Sequence, residues 1–427
     1  MVRNTMLRPR LRPNAHREAL VNTLNYFRLL PTTFALAGTL SLSACDAPSI
    51  HSPTPGGAAL FRTDARTSDI ISWNAFARSL IVAAKPNQQE ALRALAYLSL
   101  AQHRAVLQTT PSAVASDEPS ARASQSGAID AASAAVLAFI FPSQRKVVDA
   151  ELQASAERSG ARGDSRADYS AGSKIGATVA EKVVASAATD NFAAAWNGTV
   201  PTGPGIWFSS VGKPPLLPAL GQMRPFFMAK GDQFRAPPPP AFGSPSYKAA
   251  LAEIRAFTDG RTAEQDSIAK FWAMATGTLV AGYWNEVASR YIEQYRLNPA
   301  RAAHALALMN LAAMDGNIAC HDTKYVYWMI RPSQADPNIG LAIGLPNHPS
   351  YPSNHACLSG AAALVLADVF PAEQKEMERQ MEEATVSRYY AGLHYRFDGE
   401  AGLTIARSVA GLAITRDRQL HGELPIP

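Results

Sequence analysis

A chain of 427 residues, 47% of them hydrophobic and without strict repeats, is long enough for one large core or two domains and reads as globular. No run of 18 or more apolar residues occurs, which argues against a membrane bundle. The formal charge of +5 resides in the first 44 residues, where six arginines face one glutamate; the neutral remainder carries no basic stripe, so no nucleic-acid partner is expected.

Arg3, Arg8, Arg10, Arg12, Arg17 and Arg28 precede the apolar stretch LLPTTFALAGTLSLSA, a secretory signal layout. Its end, Leu42-Ser43-Ala44-Cys45, resembles a bacterial lipobox, which implies cleavage before Cys45 and a lipid on its thiol. An unlipidated signal cut nearby, or a buried helix, are the alternatives. Residues 1–44 are thus expected to be a lipoprotein-type signal peptide and 45–68, rich in Pro, Gly, Ser and Thr, a flexible tether. The chain is then exported to the cell envelope as a periplasmic or surface lipoprotein, touching membrane only through its anchor.

Residues 69–246 read as a helical N-terminal part. SWNAFARSLIVAAKPNQQEALRALAYLSLAQHRAVLQ has apolar residues at helical spacing, and the Ala-rich AIDAASAAVLAFIF and IGATVAEKVVASAATDNFAAAW continue the pattern. The polar stretches 109–127 and 153–176 read as mobile loops between them. Residues 197–246 hold too much Pro and Gly for a regular element; Trp207, Phe208, Phe226 and Phe227 suggest a segment that wraps and packs down, with a disordered linker as the rival. Residues 247–427 return to helical spacing, with Thr262 and Gln265 in a capping box. Strand signals are nearly absent. The expected fold class is all-α, one helical bundle with long loops that integrates both parts.

Three segments of the last third carry chemistry. In DTKYVYWMIRP, Lys324 and Arg331 are seven residues apart, two turns on one helix face, among aromatics, which suggests a partly dry anion site. In PSYPSNHACL, Ser353, Asn354 and His355 stand where a new helix exposes free N–H groups, a setting for anions, with His355 as a proton carrier; Ser353 as a simple cap is the bland alternative. In SRYYAGLHYRFDGEAG, Asp398 lies four residues after His394 and can fix its tautomer, and Gly392 marks a bend that returns Arg388 to the site. His321 with Asp322 reads as a helix-start polar pair, His304 as a satisfied core histidine, and His348 as a neighbour of the site without a role. Cys320 and Cys357 read as buried small hydrophobes that could also pair.

Lys324 with six residues before Arg331-Pro332, then Pro352-Ser353-Asn354-His355, then Ser387-Arg388 with five residues before His394 and three more before Asp398, resemble the three-part signature of the type 2 phosphatidic acid phosphatase and vanadium-dependent haloperoxidase superfamily. The length and the helical N-terminal half resemble its bacterial haloperoxidase branch. The resemblance implies a helical bundle in which Lys324, Arg331, Ser353, Asn354 and Arg388 surround an oxyanion with His394 at its apex and His355 and Asp398 as its catalytic partners. If the oxyanion is vanadate, His394 is the vanadium ligand, and hydrogen peroxide and halide are the partners. If it is the phosphate of a phosphomonoester, His394 is the nucleophile of an acid phosphatase, with no cofactor. A non-catalytic surface lipoprotein is a further alternative, and the family's habit of pairing implies a possible homodimer. Asn354 departs from the family's glycine; Asn tolerates positive φ, and its amide would stand beside the anion.

Overall fold

The structure, a computed structural model, describes residues 64–110, 119–274 and 277–427. Cys45, the signal peptide and the tether up to residue 63 lie outside the described residues. All those described fall in one unit, Phe61–Pro427.

Among them are thirteen α-helices and no strand, as the all-α reading requires. They are α1 (Ala65–Ala84), α2 (Gln88–Thr109), α3 (Pro119–Ile140), α4 (Arg145–Ala161), α5 (Arg166–Ala188), α6 (Pro245–Asp259), α7 (Ala263–Met274) and α8 (Leu279–Gln294), followed by α9 (Pro299–Tyr327), the single turn α10 (Pro332–Ala335), α11 (Asn354–Val369), α12 (Gln374–Tyr390) and α13 (Arg396–Gln419). Helix α1 begins inside the expected tether because Asp64 caps it, accepting from the Arg66 N–H. The periodic stretch after it is two helices: Lys85 adopts φ 51 ahead of Pro86, and Asn87 with Glu90 starts α2 as a capping box. In both polar stretches expected as loops the described residues are largely helical, α3 starting at Pro119 in the first. Alanine favours helix in each, Ser165 caps α5, and only residues 162–165 break the second.

Helix α9 is the axis of the molecule. Pro299 and the Asn298 cap start it, and its Ala, Leu and Met residues face inward on every side, packed by α1, α2, α8, α11 and α13. Fully buried leucines such as Leu306 and Leu311 contribute on the order of 2 kcal/mol each. By length and composition α3 could cross a membrane, but it packs against α2 and α5 and is mostly buried.

The Pro-rich segment wraps, as read from its aromatics. Asp315, fully buried on α9, accepts the backbone N–H groups of Phe226, Phe227 and Met228 at 2.8, 2.7 and 3.0 Å. Trp207, Phe226 and Phe227 are buried, whereas Phe208 is 52% exposed and does not pack down. The Trp207 N–H to Trp328 carbonyl and Ile330 N–H to Gly205 carbonyl bonds tie the segment to the chain just past α9. Arg235 closes the wrap on Asp322 at 2.7 Å, so Asp322 anchors the loop and is not part of a helix start.

Candidate active site

The site forms where three connections meet. Helix α9 ends at Tyr327, because Trp328 turns left-handed at φ 49. Arg331 therefore lies beyond the helix and is not on one helical face with Lys324; the turn brings it back over the loop 346–353. Helix α12 ends at Tyr390, and Gly392, at φ 74, supplies the bend expected from the sequence. His394 consequently sits before α13, while Asp398 occupies its first turn. The two meet across a helix start, not along a helix, with Asp398 Oδ2 accepting from His394 Nδ1 at 2.8 Å.

Asp398 is the hub. Its Oδ2 also accepts from the Ser350 hydroxyl at 2.5 Å and from the Tyr395 N–H at 3.1 Å, and its carbonyl receives the Ser353 N–H at 2.9 Å. Burial pushes its carboxyl up to about 6, moderated by the Ser350 bond and by Lys324 and Arg331. At neutral pH it is a carboxylate that holds the proton on His394 Nδ1, which leaves Nε2 as a lone pair. That nitrogen receives Arg331 Nη1 at 3.0 Å. Burial, and then Arg331 and Lys324, hold the His394 imidazole well below its ordinary value, so it is neutral.

Lys324, Arg331 and Arg388 are at most 1% exposed, and among the described residues none has a carboxylate within ion-pairing distance. Desolvation pulls them down to about 8, 10 and 9 respectively. Each unpaired buried cation costs several kcal/mol, and Asp398 offsets only part of that charge. The site therefore favours an anion. Arg331 spends its fork on the His348 and Leu393 carbonyls, His348 Nδ1 and His394. Among the described residues Arg388 engages only Ser387 Oγ and the Ala269 carbonyl, which leaves three of its five N–H groups for a ligand. Lys324 gives Nζ to the carbonyls of Pro349, Ser350 and Pro352. In this arrangement it shapes the loop and supplies positive field, but no free N–H, where the resemblance puts it on the anion.

Ser353 is the N-cap residue of α11, yet its side chain makes no capping bond; Oγ is buried and without a partner. The bland capping account fails there. Asn354 is in the first helical turn, outside the left-handed region, so its backbone asks nothing special of φ, and its Oδ1 is buried and unpartnered. His355 is partly buried, donates from Nε2 to the Trp272 carbonyl at 2.9 Å, and is held well below its ordinary value by burial and by Arg388. The lone pair left is Nδ1.

Asn354, His355, Arg388, His394 and His348 line one cavity of about 540 Å³, and Lys324, Arg331 and Ser353 are not part of its lining. His321, on the inner face of late α9, is fully buried and its ring lies 5.9 Å from His348. His304 meets Asp417 at 2.6 Å, and Cys320 and Cys357 are buried free thiols. Sequence reasoning missed Ser350 on Asp398, the Trp272 and Ala269 carbonyls from α7, and Gln88 and Gln89 of α2 in the cavity wall. Ser350 stood inside the quoted loop; nothing in the sequence marked the others. Among the described residues no cluster of three or more His, Cys, Asp or Glu could hold a metal cation.

A family model, the PAP2 superfamily, matches residues 302–420, which contain Lys324, Arg331, Ser353, Asn354, His355, Arg388, His394 and Asp398. A non-specific acid phosphatase of Providencia stuartii is 30% identical over 178 residues, 40% of this chain and 68% of that protein. The fold is similar to a crystal structure described as the first bacterial vanadium-dependent iodoperoxidase, with TM-score 0.68 and 21% identity over 84% of this chain and 98% of that one. It is also similar to a holo-type bacterial vanadium-dependent chloroperoxidase, TM-score 0.62 and 15% identity, over 79% and 93% of the two chains.

Proposed function

The chain belongs to the PAP2 superfamily, and from that premise we propose that it is a haloperoxidase-like enzyme that holds vanadate at His394 and oxidises halide with hydrogen peroxide. The observation that carries the oxyanion is the set of buried cations without carboxylate partners around a neutral imidazole. The extent of the structural likeness, which takes in the N-terminal helices, supports the peroxidase branch.

The residues fit vanadate. Arg388 has free N–H groups, Ser353 Oγ is an orphan, and His394 Nε2 is an unprotonated nitrogen once Arg331 Nη1 turns to the anion. When bound, vanadate supplies the Lewis acidity that activates peroxide toward a halide. Arg331 and Arg388 hold the charge of the anion, with Lys324 behind them, and Asp398 fixes the tautomer of its ligand. His355 takes or returns a proton at Nδ1, while the Trp272 carbonyl holds its other side.

The second reading is an acid phosphatase, favoured by the sequence identity to the Providencia enzyme. There the same Nε2 attacks phosphorus as the bond to the alcohol breaks, the cations stabilise the transferring group, and His355 takes up at Nδ1 the proton of the monoanionic ester and passes it to the leaving alcohol. The two share a cradle because histidine-bound vanadate resembles the phosphoryl-transfer transition state. A scaffold without chemistry is disfavoured, since Asn354, His355, Arg388 and His394 line one cavity and the buried cations Lys324 and Arg331 have no carboxylate partner among the described residues.

Purified protein assayed with and without orthovanadate separates them. Orthovanadate switches on bromide-dependent bromination of a phenol dye by peroxide if the first reading holds. Orthovanadate that only inhibits hydrolysis of nitrophenyl phosphate overturns it in favour of the second.

A further inference from the structure

His355 and Arg388 belong to the signature, but the helix that aims both of them does not. Helix α7 lies outside residues 302–420, which the family model matches. It runs antiparallel along α12, as three bonds show. Arg261 Nε, just before α7, donates to the Tyr390 carbonyl at 2.7 Å, Arg388 Nη2 donates to the Ala269 carbonyl at 2.7 Å, and Trp272 Nε1 donates to Glu383 Oε1 at 3.0 Å. Because α7 ends at Met274, the Trp272 carbonyl is among the last four of the helix, which have no intrahelical partner. That free acceptor takes the Nε2–H of His355 at 2.9 Å.

A carbonyl can only accept, so this bond keeps the His355 proton on Nε2 and leaves Nδ1 as the basic nitrogen. The bond holds while the carbonyl stays in place, and the indole of the same residue places it. Trp272 is fully buried, its ring edge-on to Tyr283 with centroids 5.0 Å apart, and its one polar side-chain atom is engaged by Glu383. Glu383 stands one turn before Ser387 and Arg388 on α12, and its other oxygen accepts from Arg379 Nη1 at 2.8 Å. Its side chain is 30% exposed and does not line the cavity, so its carboxylate reaches the site only through Trp272.

We propose that Glu383 and Trp272 are positioning residues for proton transfer: the Glu383 carboxylate holds the Trp272 indole, and the Trp272 carbonyl thereby sets the tautomer and direction of His355. The inference rests on the oxyanion reading for what His355 does with its proton, whereas the tautomer is a property of the protein without any ligand. Burial, then Arg388, Arg331 and Lys324, oppose the imidazolium that forms when Nδ1 takes a proton. The Trp272 carbonyl, at the negative end of α7, acts in its favour.

The test reads the tautomer from nitrogen-15 spectra of the full-length, vanadate-free protein labelled at histidine, the His355 signals being those lost in His355→Gln. The wild type is expected to show His355 protonated on Nε2 and bare on Nδ1. Glu383→Leu removes the acceptor of the indole at a partly exposed position and moves these signals toward a mixture of the two tautomers. In whichever reaction the wild type performs, kcat falls about tenfold while KM changes by less than about twofold. Glu383→Gln keeps an oxygen for the indole and restores both spectrum and kcat. Trp272→Phe, which keeps a ring but loses the N–H, reproduces the Glu383→Leu spectrum. Orthophosphate affinity stays within about twofold in Glu383→Leu, since the Ala269 carbonyl still holds Arg388. A wild-type His355 protonated on Nδ1, or a spectrum and kcat that Glu383→Leu leaves unchanged, overturns the proposal. Loss of orthophosphate binding with the tautomer intact also overturns it, because Glu383 then serves Arg388 and not His355. Wild-type protein that performs neither bromination nor hydrolysis overturns the oxyanion reading instead, and the spectra still decide what holds His355.

Discussion

At the scale of single residues, the account turns on one proton. The carboxylate of Asp398 keeps it on His394 Nδ1 and so decides that Nε2 faces Arg331 with a lone pair. Asp398→Asn removes the charge and lets an amide N–H compete for Nδ1, which disfavours the working tautomer. The expected loss in kcat is on the order of 10³-fold, with little change in thermal unfolding, measured in whichever of the two reactions the wild type performs. A loss under tenfold would contradict the assignment. Because burial raises the Asp398 carboxyl to about 6, wild-type activity falls as the pH drops below that value, and this limb disappears in the variant. Most of these residues were legible from spacing alone, since Lys324, Arg331, Arg388 and His394 stand in motifs where apolar neighbours make charge expensive. What spacing could not show is that Lys324 directs every N–H to loop carbonyls, or that backbone carbonyls of α7 orient Arg388 and His355. Backbone acceptors leave no trace in side-chain identity.

At the scale of elements, the site depends on how closely α13 approaches the start of α11. Gly402 makes that approach possible: a Cβ there would stand 2.7 Å from Ala356 Cβ and 2.8 Å from the Ser353 carbonyl. Gly402→Ala is therefore expected to cost about 1–3 kcal/mol in chemical denaturation. It should also weaken orthophosphate binding, because the displaced strand of backbone carries Ser353; unchanged stability and binding would show that α11 is not held this way. The sequence conveyed the existence of these helices better than their limits. Most described residues of the polar, alanine-rich stretches read as loops are helical, since small residues bring little hydrophobic periodicity yet strong helix propensity. Lys324 and Arg331 looked like one helical stripe because nothing in YVYWM announces a left-handed Trp328, a conformation that the wrapping segment stabilises through its bond to the Trp328 carbonyl. That contact joins residues more than a hundred positions apart and lies beyond local pattern.

At the scale of the whole molecule, a helical scaffold is organised around a buried electrostatic imbalance. His103, His321, His348, His355 and His394 are all held below their ordinary value, chiefly by burial. A group with a depressed folded pKa contributes stability above its unfolded value, near 6.5, and that stability is lost as the pH falls toward the folded pKa. Asp130, Asp315 and Asp398, each raised to about 6, act with the opposite sign between their unfolded value and 6. The histidines outnumber them, so the melting temperature is expected to drop by several degrees between pH 6.5 and 4.5, followed by calorimetry. Orthophosphate should reduce the drop by supplying the missing negative charge. A melting temperature that is flat or rises on acidification would contradict the depressed histidines. The all-α class was open to sequence reasoning because helical periodicity persists across most of the chain, whereas the wrapping of the Pro-rich segment around α9 required the buried Asp315, whose role depends on three backbone N–H groups far away in sequence.

The most direct test of the central claim is the binding of orthovanadate to the purified protein, followed by vanadium-51 NMR and calorimetry. The account predicts one tightly held vanadate per chain, displaced by orthophosphate, weakened at least tenfold by Arg388→Ala and lost in His394→Ala, a tenfold change being about 1.4 kcal/mol. Absence of binding in the wild type, or binding that persists unchanged in His394→Ala, would contradict it.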